Sequence, residues 1–499
     1  MEFLENKSIL ITGATGFLAK ILVEKILRVQ PNVKKLYLLL RADDEITAKK
    51  RFHNEVVEKA LFQVLKKKHG ANLNTLISEK ICLVPGEISL PQMGLKHDSI
   101  WIDKLKSQVE IIINLAATTN FDERYDVALG TNALGAKHVI NFAKQCSNLK
   151  LVVHVSTAYV SGEREGLIME TPYKMGESLN WFKGLDIEVE QMVIEDKLKQ
   201  LKEDGATNET ITLAMKDLGL ERSKLYGWPN TYVFTKAMGE MIIGDLKDEV
   251  PLIVIRPTIV TSTYKEPFPG WIEGVRIWGQ TLCINLCRTI DSLIVGYAKG
   301  KLTCFVAGIN SIIDLIPADM VVNTIIMAMM VHKLQPSNHI IYHVGSSKRN
   351  PIKHADFQRF NYQYFTKKPL IDRDGNAIKV GKVTLFDDMT NFHRYIAIRY
   401  LFFLKGLEIM NMAFCHSFQD KCITMRRKFN LVLRLIDLYR PYLFFNAIFD
   451  DTNTERLRKE LQNYKEMTKE GLFMDPKEIN WEDYFMNVHI PGLVKHVIK

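Results

Sequence analysis

The amino-acid sequence predicts an α/β protein built on a doubly wound parallel sheet and followed by a mainly helical C-terminal domain. Three observations carry this. Lys7 to Lys20 (KSILITGATGFLAK) reads as a strand, a tight glycine turn and a helix start. Short apolar runs then alternate with helical stretches, as strands covered on both faces by crossover helices do. Beyond about Lys367 the texture changes to helical patterns rich in aromatic and basic residues. The chain has 499 residues, which suggests two domains, 1–370 and 377–499, joined at the turn-rich stretch Asp372 to Asn376 (DRDGN).

In the opening turn Gly13 can adopt the backbone angles required, Gly16 carries no Cβ to block a pyrophosphate, and Ala19 lets the helix pack closely on its strand. The free N–H groups and positive end of the helix then face the phosphates, giving a Rossmann-type cofactor site. A second strand, Lys34 to Leu40, ends at Arg41, where an arginine favours the 2′-phosphate of NADPH over the ribose hydroxyl of NADH. The segment Asp44 to Lys68 reads as helical. Further strands follow at Ile81 to Val84, ending in Pro85-Gly86-Glu87, and at Val109 to Leu115, where the small residues Ala116 and Ala117 leave room for a cofactor. A fifth, Leu149 to Val155, is closed by Ser156-Thr157-Ala158. Asp186 to Leu225 is a charged helical interval that forms a solvated face or lid. Pro251 to Ile255 and Ile340 to Val344 complete the strands. Ligands are expected beyond the carboxyl ends of these strands.

Composition bounds the rest. Hydrophobic residues at 47% and charged residues at 25% are ordinary for a globular protein. The net charge of +9 fits an anionic ligand or membrane surface rather than nucleic acid. The 7 cysteines form no C-x-x-C pair and read as reduced thiols of a cytosol-facing protein. The first strand starts too close to Met1 for a leader peptide. The apolar stretch Tyr395 to Leu404 is interrupted by Arg399 and is too short to span a bilayer, so membrane contact is peripheral. Lys421 to Arg440 is basic and amphipathic, which suits a solvated face, a membrane surface or the phosphates of CoA. His154 and His343 read as core histidines, and no cluster has metal-ligand spacing.

The chemistry is expected at Tyr232 and Lys236 in TYVFTKAMGE, one helical turn apart on one face. A neighbouring ammonium lowers the pKa of a phenol, so that Tyr232 can protonate a carbonyl oxygen as hydride reaches the carbon. Thr157, with Ser156 as the alternative, would hydrogen-bond that oxygen, and Asn132 would tie Lys236 into a proton relay through water. The expected cofactor contacts are Thr12, Gly13, Thr15, Gly16, Phe17, Leu18, Arg41, Glu87, Ala116 and Ala117, with Tyr232 and Lys236.

With G-x-x-G-x-x-A at Gly13, Gly16 and Ala19 and Y-x-x-x-K at Tyr232 and Lys236, the chain resembles the extended short-chain dehydrogenase/reductases. Within them it is similar to the plant alcohol-forming fatty acyl-CoA reductases, through NLAATTNFDERYD (Asn114 to Asp126), HVSTAYVSGE (His154 to Glu163), EPFPGWIEGVR (Glu266 to Arg276), DLIPADMVVN (Asp314 to Asn323), YHVGSS (Tyr342 to Ser347), FDDTNTERLR (Phe449 to Arg458) and INWEDYF (Ile479 to Phe485). The resemblance covers essentially the whole chain, including its helical C-terminal part. It implies reduction of a long-chain acyl-CoA through an aldehyde to a primary alcohol with two NADPH and release of CoA, for wax or surface-lipid synthesis, without a metal, at the endoplasmic reticulum. Against the family pattern, Ile277 to Arg288 looks like an insertion where a substrate lid is expected. The alternatives are a sugar-nucleotide epimerase, a sterol or flavonoid reductase with the same catalytic set, or a cofactor-binding homologue disabled by that insertion.

Overall fold

A computed structural model describes residues 1–180, 182, 184–246, 249–273, 290–334, 339–413, 419–463 and 472–498; the insertion expected at 277–288 lies outside them. The chain divides into two compact units interleaved along the sequence. Unit 1 comprises Met1–Glu273, Asp314–Asn350 and Ile448–Asn480, and unit 2 comprises Gly274–Ile313, Pro351–Ala447 and Trp481–Lys499. This division cuts across the 370/377 boundary that composition suggests, because residues 274–313 and 351–370 belong to the second unit and residues 448–480 return to the first.

Unit 1 is organised by a seven-stranded sheet. Its strands are β1 (Ser8–Thr12), β2 (Lys35–Leu40), β3 (Ile81–Pro85), β4 (Ile111–Asn114), β5 (Leu151–Val155), β6 (Leu252–Pro257) and β7 (His339–Val344), within a few residues of the predicted runs. They pair in the order β7-β6-β5-β4-β1-β2-β3, every pair parallel. β1, β4 and β5 are buried along their whole length, which is why they read as continuous apolar runs rather than alternating ones. Each carboxyl end of the central strands is a polar or small-residue turn. Register sets Thr12 opposite Asn114 and Asn114 opposite His154, so polar side chains form a row at that end of the sheet.

The helices needed below are α1 (Phe17–Val29), α2 (Gly135–Ala143), α3 (Ile187–Glu203), α4 (Asn208–Leu225) and α5 (Thr231–Asp245) in unit 1. The charged interval expected from Asp186 to Leu225 is a pair of helices, α3 and α4, each opened by a side-chain cap, Asp186 on Glu188 and Val189 and Thr207 on Thr210. Asp44 to Lys68 is not one helix. Buried Phe52 and Val56 keep a spacing of four residues, but the next buried residue is Leu61; the lengthened spacing is absorbed by a π-turn at His53–Val57 and an extended residue at Lys59.

The β7 edge is closed by side chains. Glu170 accepts from His343 N at 2.8 Å and from Asn453 N at 2.6 Å, Asn453 donates to Ile341 O at 2.9 Å, and Thr454 donates to His343 O at 2.7 Å. An open edge would present unpaired backbone groups to any passing strand; here Glu170 and the returning segment 448–480 supply partners for them.

Unit 2 is mainly helical among its described residues. It holds α6 (Met389–Ile396), α7 (Phe402–Ala413) and α8 (Gln419–Leu443), with a small core in which Val306, Ala307, Phe392, Ile396 and Leu443 are buried and Phe429, Leu433, Ile436 and Tyr439 pack against them.

Candidate active site

The site is built at the carboxyl ends of β1, β4 and β5. Gly13 takes φ +66°, and a Cβ there would lie 2.7 Å from the Ala116 Cα, so glycine is required both for the angle and for the approach of the two turns. Gly16 is exposed at the N-cap of α1 and brings no side chain to the first N–H groups. Thr15, Phe17 and Leu18 line the opening half-buried, with Phe17 stacked on Trp271 at 5.1 Å, while Ala19 is buried against the sheet. An open helix N-terminus behind a turn without side chains fits the pyrophosphate of a dinucleotide.

Thr12 has a different task from the one expected. Its hydroxyl donates to Asn114 Oδ1 at 2.6 Å and accepts from Leu115 N and Ala116 N, both at 3.2 Å. Fully buried and fully engaged, it sets the β4 turn rather than presenting a free group to a ligand. Ala117 is exposed beside it, leaving the opening uncrowded. Arg41 and Glu87 form an ion pair at the ends of β2 and β3, the arginine side chain 68% exposed, and Arg51 donates to the Arg41 carbonyl. So exposed a pair is weak, and a phosphate can displace the carboxylate from Arg41.

α5 is buried from Thr231 to Ile243 with the single exception of Tyr232. The Asn230 side chain caps it by accepting from Val233 N at 3.2 Å. Thr157, ending β5, hydrogen-bonds the Tyr232 hydroxyl, also accepts from Tyr159 N at 3.3 Å and reaches Pro257 O at 3.4 Å. Thr157, not Ser156, is therefore the neighbour of the phenol; the buried Ser156 hydroxyl has no hydrogen-bond partner among the described residues. Phe121 stacks on the Tyr232 ring at 5.6 Å and 12°.

Lys236 is buried and donates to Val155 O at 2.7 Å. Burial holds its ammonium down at about 8, opposed by Glu240 one turn on. The expected lowering of the tyrosine is absent: burial pushes Tyr232 up to about 12, opposed only by the Thr157 hydrogen bond. The reason is that Lys236 is aimed at the β5 carbonyl and loses its own solvation, so desolvation of the phenol wins.

Asn132 lies in a π-turn, Leu129–Leu134. Its Oδ1 accepts from Thr118 N at 3.0 Å, and its Nδ2 donates to Thr118 O at 3.1 Å and to Thr235 Oγ1 at 3.0 Å. It thus clamps the β4 turn to α5 through Thr235 and makes no direct contact with Lys236. A Cβ on Gly239 would come within 2.4 Å of the Asn132 carbonyl, so α5 seats directly on that turn.

Residues that sequence reasoning missed include Thr118, Phe121, Thr235 and the buried pair Glu240–Arg256, joined at 3.0 and 3.1 Å from Arg256 Nε. Glu240 was legible, standing four residues beyond Lys236. His154 and His343 are buried and strongly disfavoured as cations, His343 at about 3. His343 bonds Asp450 O at 2.8 Å and Arg256 Nη1 at 3.3 Å, and His154 meets Asn114 Nδ2 at 3.0 Å. Among the described residues, no group of three or more His, Cys, Asp or Glu could hold a metal ion.

Comparison with known proteins follows the same lines. Two family models, both described as male sterility protein, match residues 11–325, as an NAD-binding part, and 399–499. The chain is 52% identical over 501 residues to an alcohol-forming fatty acyl-CoA reductase of Simmondsia chinensis, covering 100% of this chain and 98% of that protein. It is also 52% identical over 502 residues to fatty acyl-CoA reductase 1 of Arabidopsis thaliana, covering 100% and 99%. Among solved structures, the reductase domain of a nonribosomal peptide synthetase from Mycobacterium tuberculosis matches with a TM-score of 0.57 at 16% identity, covering 98% of this chain and 92% of that one, a likeness of fold.

Proposed function

Because this chain belongs to the male sterility protein family of fatty acyl-CoA reductases, we propose that it is an alcohol-forming reductase, converting a long-chain acyl-CoA to the primary alcohol with two NADPH and release of CoA. The observation that carries the chemistry is the Tyr232 hydroxyl held by Thr157 at the end of β5, with Lys236 one turn further along α5.

A nicotinamide cofactor would be held by Gly13, Thr15, Gly16, Phe17 and Leu18 at its phosphates, by Arg41 in place of Glu87 at a 2′-phosphate, and by Tyr232 and Lys236 at the reactive end, with Ala116 and Ala117 leaving it space. When bound, it supplies hydride to the carbonyl carbon. Tyr232, neutral at physiological pH, gives its proton to the carbonyl oxygen as charge develops there. Thr157 donates a hydrogen bond to the same oxygen, and the Lys236 ammonium stabilises the phenolate left behind. As the resulting hemithioacetal collapses, its hydroxyl proton returns to the Tyr232 phenolate and the C–S bond breaks, so that CoA leaves as the thiolate and an aldehyde remains; Tyr232, again neutral, and Thr157 would then serve the aldehyde carbonyl in the same way when a second NADPH is bound. Asn132 and Thr12 act one step removed, fixing the β4 turn against α5 and β1.

The protein works facing the cytosol, attached peripherally at the endoplasmic reticulum surface, in wax or surface-lipid synthesis. The family resemblance supports this, together with the basic charge balance; no helix among the described residues is long and apolar enough to cross a membrane. Feeding a long-chain acyl-CoA with NADPH and analysing the products tests the reading. A long-chain primary alcohol is expected, and turnover of a nucleotide sugar or a ketone instead would reject it.

A further inference from the structure

The helix α7, with the turn before it, is built inside out. Ile398 is 67% exposed, Phe402 78%, Phe403 62%, Ile409 62%, Met410 49% and Met412 64%, whereas Leu404 and the amide-bearing Asn411 are each 4% exposed. Asn411 Nδ2 donates to Gln419 Oε1 at 2.7 Å, so a polar group faces inward while the large apolar ones face out. Large apolar side chains gain by leaving water, and a cluster of them left exposed marks an interaction surface.

Charge decides which one. From Met389 to Ala413 the exposed basic side chains are His393, Arg394, Arg399 and Lys405. The only acid of that span, Glu408, is engaged by Arg426 Nε at 3.0 Å. In a two-fold dimer this face would meet its own copy, setting one cation-bearing surface against another, an unfavourable match of charge. Phospholipid head groups of negative charge match the cations, whose stems reach up to that level while the Phe, Ile and Met side chains enter the acyl boundary by about 5–10 Å. In the alternative surface named from the sequence, Lys421 to Arg440, four of the described apolar residues, Phe429, Leu433, Ile436 and Tyr439, pack onto the unit 2 core.

We propose that the outward face of α7 and residues 398–401 is a docking surface for an anionic phospholipid bilayer, by which the protein sits on the membrane without crossing it. This deepens the peripheral attachment suggested above and assigns it to a different helix.

The experiment is flotation of the full-length protein with phosphatidylcholine vesicles, with and without phosphatidylserine, alongside light scattering for oligomeric state. The wild type is expected to float with the anionic vesicles and to be released by salt. Phe402→Glu with Phe403→Glu should lower partitioning at least about tenfold, and Arg399→Glu with Lys405→Glu should abolish the preference for phosphatidylserine. These side chains are exposed, so thermal melting should be unchanged; reductase turnover of a water-soluble short-chain acyl-CoA is read separately, which keeps failure of docking distinct from failure of the catalytic reading. Wild-type flotation in both double variants would overturn the proposal, as would a dimer that Phe402→Glu with Phe403→Glu converts to monomer without any vesicle binding by the wild type.

Discussion

The two ends of the proposed cofactor cleft are made in opposite ways. At the phosphate end, Gly13 and Gly16 offer backbone with nothing attached, and Thr12 is withdrawn beneath them as a strut. At the proposed nicotinamide end, Tyr232, Thr157 and Lys236 are side chains, each held by a further layer: Phe121 on the phenol, Pro257 and Tyr159 on the threonine, Val155 on the lysine. A phosphate carries its charge permanently and needs only fixed dipoles. A carbonyl acquires charge only during reaction, and it needs groups that hold a proton until that moment. Desolvation serves the second purpose, which is why Tyr232 lies near 12 rather than below its ordinary value.

That contrast can be broken from either end. Tyr232→Phe removes the proton donor while keeping the ring on Phe121; kcat should fall by about 10²–10⁴-fold with the KM for NADPH little changed, and an unaltered kcat would remove Tyr232 from the chemistry. Gly13→Val should act at the other end, because its Cβ collides with the Ala116 backbone at a φ that branched residues avoid. A loss of about 1–3 kcal/mol in stability, seen in denaturant unfolding, and a raised KM for the cofactor are expected.

A smaller effect concerns charge. With Lys236 held at about 8, its ammonium is lost as pH rises through that value, so kcat/KM should decline above about pH 8. Stability should move the other way. Between about 8 and the unfolded lysine value near 10.4, the unfolded chain binds the extra proton, so this group's contribution to stability rises with pH. Parallel pH profiles of turnover and chemical unfolding check both signs. The smallest effect belongs to Arg41→Glu, which should weaken NADPH relative to NADH by about tenfold, read as a ratio of KM values, since Arg41 is exposed and already shares its charge with Glu87.

Much of this was legible beforehand. Seven apolar runs became seven strands, and Thr157, Tyr232 and Lys236 converge from segments 75 and 79 residues apart in numbering, because strand-end turns and helix spacing are local signals. What escaped notice is long-range or depends on phase. The direct partners of Asn132, Thr118 and Thr235, lie 14 and 103 residues away, and the π-turn that carries it has no propensity signal. The sense of the Tyr232 shift depends on how much water the fold excludes, which residue types alone do not state. The exposed side of α7 escaped for a related reason: periodicity reveals that a helix has two faces, and only packing tells which one is inward.

The sealing of the β7 edge by Glu170, Asn453 and Thr454 bears on how the molecule can be cut. A fragment ending at residue 370 would keep every strand of the seven-stranded sheet and the proposed catalytic triplet, yet it would leave the Ile341 and His343 carbonyls and the buried Arg256–His343 contact facing bulk solvent or another molecule's strand. Such a fragment is expected to self-associate through that bare ribbon, whereas adding back residues 448–480, even as a separate peptide, should restore its solubility.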